Sequence, residues 1–180
     1  VQGPSKINSI DERLKKKGPD LWFAGSKFNK GWLAEWLAKG DQIRPIKYSA
    51  LSPEPATDKH PALSGKEAED VAAYLSTLVD KEIKEGSVKA GSGNDKKVKK
   101  AFDKDFACYS CHKMKVGDEA IGGVSGPTLI DAGKRLNPNW INAYLVNPDR
   151  YEPKGRSSKF NHIATPEILS GLADYIASFK

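Results

Sequence analysis

The sequence predicts an all-α protein made of two related halves. Three observations carry this: apolar residues recur at helical spacings, no stretch alternates as a half-buried strand would, and the chain matches itself at a fixed offset. With 180 residues it has material for one or two domains with buried cores.

The self-match sets Gly18–Pro45 against Gly126–Pro153 without a gap, at an offset of 108. Ten of 28 positions are identical, among them Gly18/Gly126, Pro19/Pro127, Leu21/Leu129, Asn29/Asn137, Trp32/Trp140 and Pro45/Pro153. Chance would give about two. The halves also end alike. Residues 64–78 carry Ala68, Val71, Leu75 and Leu78 on one helical face, and residues 165–179 carry Ile168, Leu172, Ile176 and Phe179. Thr165-Pro166-Glu167 supplies a capping hydroxyl, a first-turn proline and a first-turn carboxylate, and Ser64 opens its helix in the same way. Two more helices are predicted, over 95–105 with Val98, Ala101 and Phe102 inward, and over 137–147, stopping before Pro148.

Between the halves, residues 86–95 contain three glycines, two serines and little to bury, which predicts a flexible connector. The expected organisation is a first domain over 1–85, a linker over 86–94 and a second domain over 95–180.

Composition is ordinary for a soluble chain, with 38% apolar and 29% charged residues. No apolar run reaches the roughly 20 residues of a membrane span. No secretory apolar region opens the sequence, so any targeting peptide is expected to have been removed. The net charge of +6 comes largely from Lys84, Lys89, Lys96, Lys97, Lys99, Lys100 and Lys104. No aromatics are interleaved for base stacking, which argues against nucleic acid. The cluster reads as a solvated face or as a steering surface for an acidic protein.

Chemistry concentrates in Cys108-Tyr-Ser-Cys111-His112, the C-x-x-C-H pattern of covalent haem attachment. Two thiols three residues apart reach the two vinyl groups of one porphyrin, and the adjacent imidazole reaches the iron as proximal ligand. A thioredoxin-like motif would need a βαβ setting. A zinc site would need further ligands, and only His60 and His162 remain.

A helix bearing Phe102, the Cys108–His112 motif, Gly126-Pro127, a helix bearing Trp140 and a last helix bearing Tyr175 together resemble class I cytochrome c, over about residues 94–180. The resemblance is closest to domains that occur in pairs in two-haem cytochromes and respiratory-complex subunits. It implies one covalently attached haem c, with Cys108 and Cys111 as attachment points and His112 as proximal iron ligand. It further implies that the Pro127 carbonyl accepts a hydrogen bond from His112, and that Trp140, assisted by Arg135, approaches a haem propionate. Plain core packing is the competing reading of Trp140.

The first half keeps Gly18-Pro19, Trp32 and the final helix but has no cysteine, so it resembles a cytochrome domain that has lost its haem. Trp22, Phe23, Phe28, Trp36 and Tyr48 are expected to fill the space or to pack against the neighbouring half. The family's distal methionine is missing: Met114 is the only methionine and sits two residues past His112. In the loop before the last helix, Ser157 and Lys159 fall at the methionine position by two different alignments, and His162 offers an imidazole. The sixth iron position is therefore expected to hold His162, Lys159 or a water. The implied function is electron transfer by an extracytoplasmic, periplasmic-type monohaem cytochrome rather than enzymatic catalysis. Its partners would be redox proteins, including a larger respiratory enzyme docked through the haem-free half. The alternative is a haem-based sensor or catalyst that binds a small gas or peroxide at an open sixth position.

Overall fold

The computed structural model describes residues 9–15, 18–43, 59–153 and 157–180. The chain is mostly helical. The helices are α1 (Ile10–Lys15), α2 (Ala24–Lys27), α3 (Lys30–Lys39), α4 (Gly65–Ser76), α5 (Lys96–Lys100), α6 (Ala132–Arg135), α7 (Pro138–Val146) and α8 (Pro166–Ala177). Pro45, Tyr48 and the end of the first matching segment lie outside the described residues.

The helix starts follow their capping chemistry. Ser64 Oγ accepts the Glu67 amide at 3.4 Å while Glu67 Oε2 accepts the Ser64 amide at 3.0 Å, a reciprocal capping box. Thr165 Oγ1 accepts the Ile168 amide at the start of α8, and Asn137 Oδ1 accepts the Asn139 amide at the start of α7.

Three features differ from the sequence expectation. A two-stranded antiparallel hairpin is present, β1 (Met114–Val116) paired with β2 (Glu119–Ile121), so the fold is not purely helical. Three residues per strand are too few to show alternation, and a Gly-Asp turn with Gly117 at φ 59° closes it. The helix expected over 95–105 ends its α form at Lys100 and continues as a wider π turn over Ala101–Asp105, with the Phe106 amide reaching the Ala101 carbonyl at 2.9 Å.

The third difference is the expected flexible linker, which is packed. Val88 and Ser87 donate to Asn139 Oδ1, Ser170 donates to the Ser87 carbonyl, and the Gly93 amide donates to Asp174 Oδ2 at 2.9 Å. A Cβ on Gly93 would lie 2.5 Å from the Tyr175 amide nitrogen, so only glycine allows this close crossing over α8. Gly93 is small because a helix lies against it, whereas Gly86 and Gly91 are exposed turn glycines with positive φ.

The helices pack as two sets with matching internal contacts. α2 and α3 pack on α4 as α6 and α7 pack on α8, while α2 touches α7 and α3 touches α6 across the middle. Gly25 donates to the Leu78 carbonyl and Gly133 to the Phe179 carbonyl, both at 2.8 Å. At the centre, Phe28 and Leu136 face each other in an antiparallel bridge. Asn29 donates its amide to the Arg135 carbonyl at 3.0 Å, and Asn137 donates its amide to the Lys27 carbonyl at 2.9 Å.

One apolar cluster contains Ala24, Leu33, Leu37, Ala68, Ala72 and Leu75. The larger cluster gathers around Phe102, Trp140, Leu172 and Ala173, and Trp22 and Phe23 of the first half belong to it. Phe23 stacks on Trp140 at 6.2 Å and meets Tyr151 edge-on at 5.0 Å, while Trp22 stacks on Tyr151 at 6.1 Å. Of the two roles open to these aromatics, Trp22 and Phe23 take packing against the other half. Phe28, Trp32 and Trp36 stack in a column beside the smaller cluster, at 5.4 and 5.7 Å.

A buried ionic contact also joins the halves. Asp80 Oδ1 and Oδ2 accept Arg150 Nη2 and Nε at 2.8 and 3.0 Å, and Oδ2 accepts the Tyr151 hydroxyl at 3.1 Å. Burial opposes ionisation of Asp80, but the hydrogen bonds from Arg150, the Glu82 amide and Tyr151 outweigh it and hold the carboxyl below its usual range. The stabilisation from this carboxylate is complete above about pH 4 and is lost as pH falls through the lowered folded-state value. Asp80→Asn is expected to cost about 2 kcal/mol in urea unfolding at pH 7, because Arg150 exchanges its buried carboxylate for a neutral amide and keeps the exposed Glu82. The difference from wild type should shrink as the measurement moves to pH 3.

Candidate functional site

The π turn delivers the chain to Ala107, which has a left-handed backbone at φ 45°. A non-glycine residue there costs on the order of 1 kcal/mol. The strain sits immediately before the cysteine motif. Cys108–Ser110 then forms a single 3-10 turn, and the His112 amide closes on the Cys108 carbonyl at 3.1 Å. Residues 122–129 run alongside, with Gly123, Gly126 and Leu129 donating to the carbonyls of Tyr109, Cys111 and Lys113 at 2.7, 2.7 and 2.8 Å. The hairpin β1–β2 links these two tracks, which explains why it forms.

His112 Nδ1 lies 2.7 Å from the Pro127 carbonyl oxygen. A carbonyl only accepts, so Nδ1 carries a proton, and in the neutral ring Nε2 then carries the lone pair. The ring also lies against Gly126, where an added Cβ would stand 2.6 Å from Cε1 and 2.7 Å from Nδ1. Cys108 and Cys111 are not joined in a disulfide. Burial pushes the Cys108 thiol up to about 11, with Asp103 and Cys111 adding to the shift, while Cys111 is exposed.

These groups line a cavity of about 370 Å³, within the usual size of a small-molecule site. Its apolar wall includes Leu129, Leu136, Ile141, Leu145, Phe160 and Ile176. Cys108, Cys111, His112, Pro127, Arg135 and Trp140, all selected from the sequence, meet at this one cavity. Among the described residues, two buried nitrogens of this set, Arg135 Nε and Trp140 Nε1, have no hydrogen-bond partner, Asp131 Oδ1 lying 3.8 Å from Arg135 Nε, beyond hydrogen-bond reach. Such orphans are costly, and a ligand acceptor would satisfy them. Arg135 is 4% exposed and donates through Nη2 to the Thr128 carbonyl at 2.6 Å. Burial lowers its pKa and nearby Asp131 opposes that, yet a guanidinium stays charged at neutral pH.

The two proposed distal ligands are not brought to the cavity. His162 is exposed, and Lys159 pairs with Asp149 at 2.5 Å. Ser157, Ser158 and Phe160 of the same loop do line it. Met114 is buried in the core at the start of β1, outside the lining. Among the described residues, no group of three or more His, Cys, Asp or Glu side chains is gathered closely enough to hold an ion. Cys108, Cys111 and His112 share a wall without converging on one point.

The sequence reading missed Lys27, Tyr144 and Glu152. Tyr144 donates to Glu152 Oε2 at 3.1 Å, Lys27 Nζ lies 3.9 Å from Glu152 Oε1, and all three line the cavity. Lys27 carried one available signal: it is the offset equivalent of Arg135. Comparison with protein-family models, curated proteins and solved structures gave no match, so the reading of this site rests on its own residues.

Replacing Gly126 with Ala forces the imidazole away from Pro127. The expected cost is about 1–3 kcal/mol in denaturant unfolding, with the histidine ring signals in the NMR spectrum shifted. Ala at exposed Gly31, where an added Cβ meets nothing, should leave those ring signals unmoved.

Proposed function

We propose that this protein is a monohaem c-type cytochrome that carries single electrons between extracytoplasmic redox partners. The observation that carries the reading is one wall of the cavity. There, two unbridged cysteines flank an imidazole whose Nδ1 is committed to a carbonyl. An apolar lining and two buried donors that lack a hydrogen-bond partner among the described residues fit a flat, mostly apolar ligand with anionic side chains.

Each residue has a distinct task. Cys108 and Cys111 would hold one haem through two thioether bonds, each thiol supplying the sulfur and the hydrogen that a vinyl group takes up. His112 would hold the iron through Nε2, with Pro127 fixing the tautomer and the ring plane. Arg135 and Trp140 would bind a propionate. The apolar wall of Leu136, Ile141 and Leu145 excludes water. When bound, the haem supplies one-electron Fe(III)/Fe(II) chemistry.

A tandem origin for the chain accords with the ungapped self-match and the reciprocal helix contacts. In this reading, 1–85 is a cytochrome-like repeat without haem, 86–94 the joint and 95–180 the haem-bearing repeat. The exposed lysines between Lys84 and Lys104 then serve as a steering surface for an acidic redox protein or respiratory enzyme. A periplasmic location follows from the attachment chemistry the reading invokes.

A second reading is favoured by one observation. His162 and Lys159 stand off the cavity while Ser157 and Ser158 line it. An iron held by His112 would then keep its sixth position for water or a small gas, making the protein a sensor or catalyst.

Purified from a host competent in haem attachment, the protein should exceed its polypeptide mass by one haem that survives denaturation. Cys108→Ala/Cys111→Ala should remove that increment. A spectrum of the reduced protein that changes on adding carbon monoxide selects the open-site reading. An unchanged spectrum selects electron transfer with a sixth protein ligand.

A further inference from the structure

We propose that Lys27, carried by the first half, completes the cavity of the second half by pairing with Arg135 as a two-cation clamp for the ligand's carboxylates. The inference rests on the haem reading above and gives the cysteine-free half a role inside the site.

The geometry is set by the central bridge. Lys27 and Arg135 are offset equivalents, each one residue before the facing pair Phe28 and Leu136. Their carbonyls accept the Asn137 and Asn29 amides at 2.9 and 3.0 Å. Asn29 strengthens the bracket by turning Nδ2 to the carbonyls of Gly133 and Lys134, at 3.2 and 3.0 Å. The backbone at both cations is thereby fixed by the same contact, and both side chains line one cavity.

The Lys27 side chain is held rather than loose. It is 17% exposed, and Nζ lies 4.6 Å from the Trp140 ring centroid and 5.1 Å from that of Phe28. Trp140 is the residue whose Nε1 lacks a partner, so the ammonium sits over the ring that contributes one of the cavity's unsatisfied donors. The ion pair of Lys27 with Glu152 is long, at 3.9 Å, and Glu152 also accepts from Tyr144. A ligand carboxylate can therefore share Lys27 without leaving Glu152 unpartnered. Among the described residues Glu152 is the one carboxylate that lines the cavity; Asp131, 3.8 Å from Arg135 Nε, stands outside the lining, so the two cations are the charges that face the cavity with Glu152.

A cation beside the propionates disfavours the more positive oxidised iron, so its removal favours oxidation. The test uses the holoprotein, with intact mass for covalent haem and spectroelectrochemical titration for the midpoint. Lys27→Met should retain the haem and shift the redox equilibrium about tenfold towards the oxidised form, about 59 mV for one electron. Lys27→Arg should restore the wild-type midpoint to within about twofold. Lys30→Met, an exposed neighbour, should leave it unchanged. If Lys27→Met carries haem and matches Lys30→Met, the clamp is wrong and the haem reading stands. Equal midpoints for Lys27→Met and Lys27→Arg, both displaced from wild type, would overturn the clamp in favour of a packing role. A wild-type chain without covalent haem overturns both.

Discussion

The exchange of two backbone hydrogen bonds around Phe28 and Leu136 is the contact on which the rest of the structure depends. Both residues are extended and each ends a one-turn helix, so each half presents a short strip of backbone to the other. The hydrogen bonds themselves contribute only about 1 kcal/mol apiece. Burying Phe23 and Trp22 in the other half's aromatic cluster contributes more, about 1.5–3 kcal/mol per large apolar side chain, with about 0.5–1.5 for each good ring pair. The aromatics thus supply the adhesion and the backbone strip supplies the register. Shifted by one residue, the strip would withdraw Lys27 from Trp140.

Ionic contacts cross the same boundary at two places, Arg150 with Asp80 and Glu82 and Lys27 with Glu152, and do different work. Asp80 and Arg150 are fixed by a buried two-point geometry, reinforced by Tyr151 and by Arg150 lying 5.3 Å over the Trp22 ring. Such a pair locks orientation, and losing one partner is expensive. Lys27 and Glu152 meet at longer range on the cavity edge. That pair is weak enough to be shared with something else. The molecule has put its rigid pair away from the cavity and its exchangeable pair on it.

Much of this was legible in the sequence where the signal is local. Ser64 and Thr165 announce helix starts because a cap needs only three or four consecutive residues, and both cap as read, while Asn137 caps the helix predicted over 137–147. The C-x-x-C-H spacing, with Gly126-Pro127 downstream, located one wall of the cavity for the same reason. What failed was reading small residues as looseness. Gly93 looks like linker composition but is the point where Tyr175 crosses, a fact held by a helix more than eighty residues later. Lys27 was invisible because the chain has many lysines and its partner ring arrives from the other half. In the loop holding His162 and Lys159, sequence position does not tell which side chains turn inward; Ser157 and Ser158 line the cavity.

Asn29 has a consequence for how the chain reaches this state. It occupies the N-cap position of α3 but makes no side-chain cap there; its amide group is turned to the end of α6. A missing cap costs a helix about 1 kcal/mol, so α3 gains a firm start only once the other half has arrived. The contacts that reward it join positions 104 and 105 apart along the chain. Closing so long a loop costs little more than closing one of half the length, since the penalty grows only with the logarithm of length. It does place the event late, after the local helices of each half have formed. The first half therefore matures by association, and its last turn of order is a property of the whole chain.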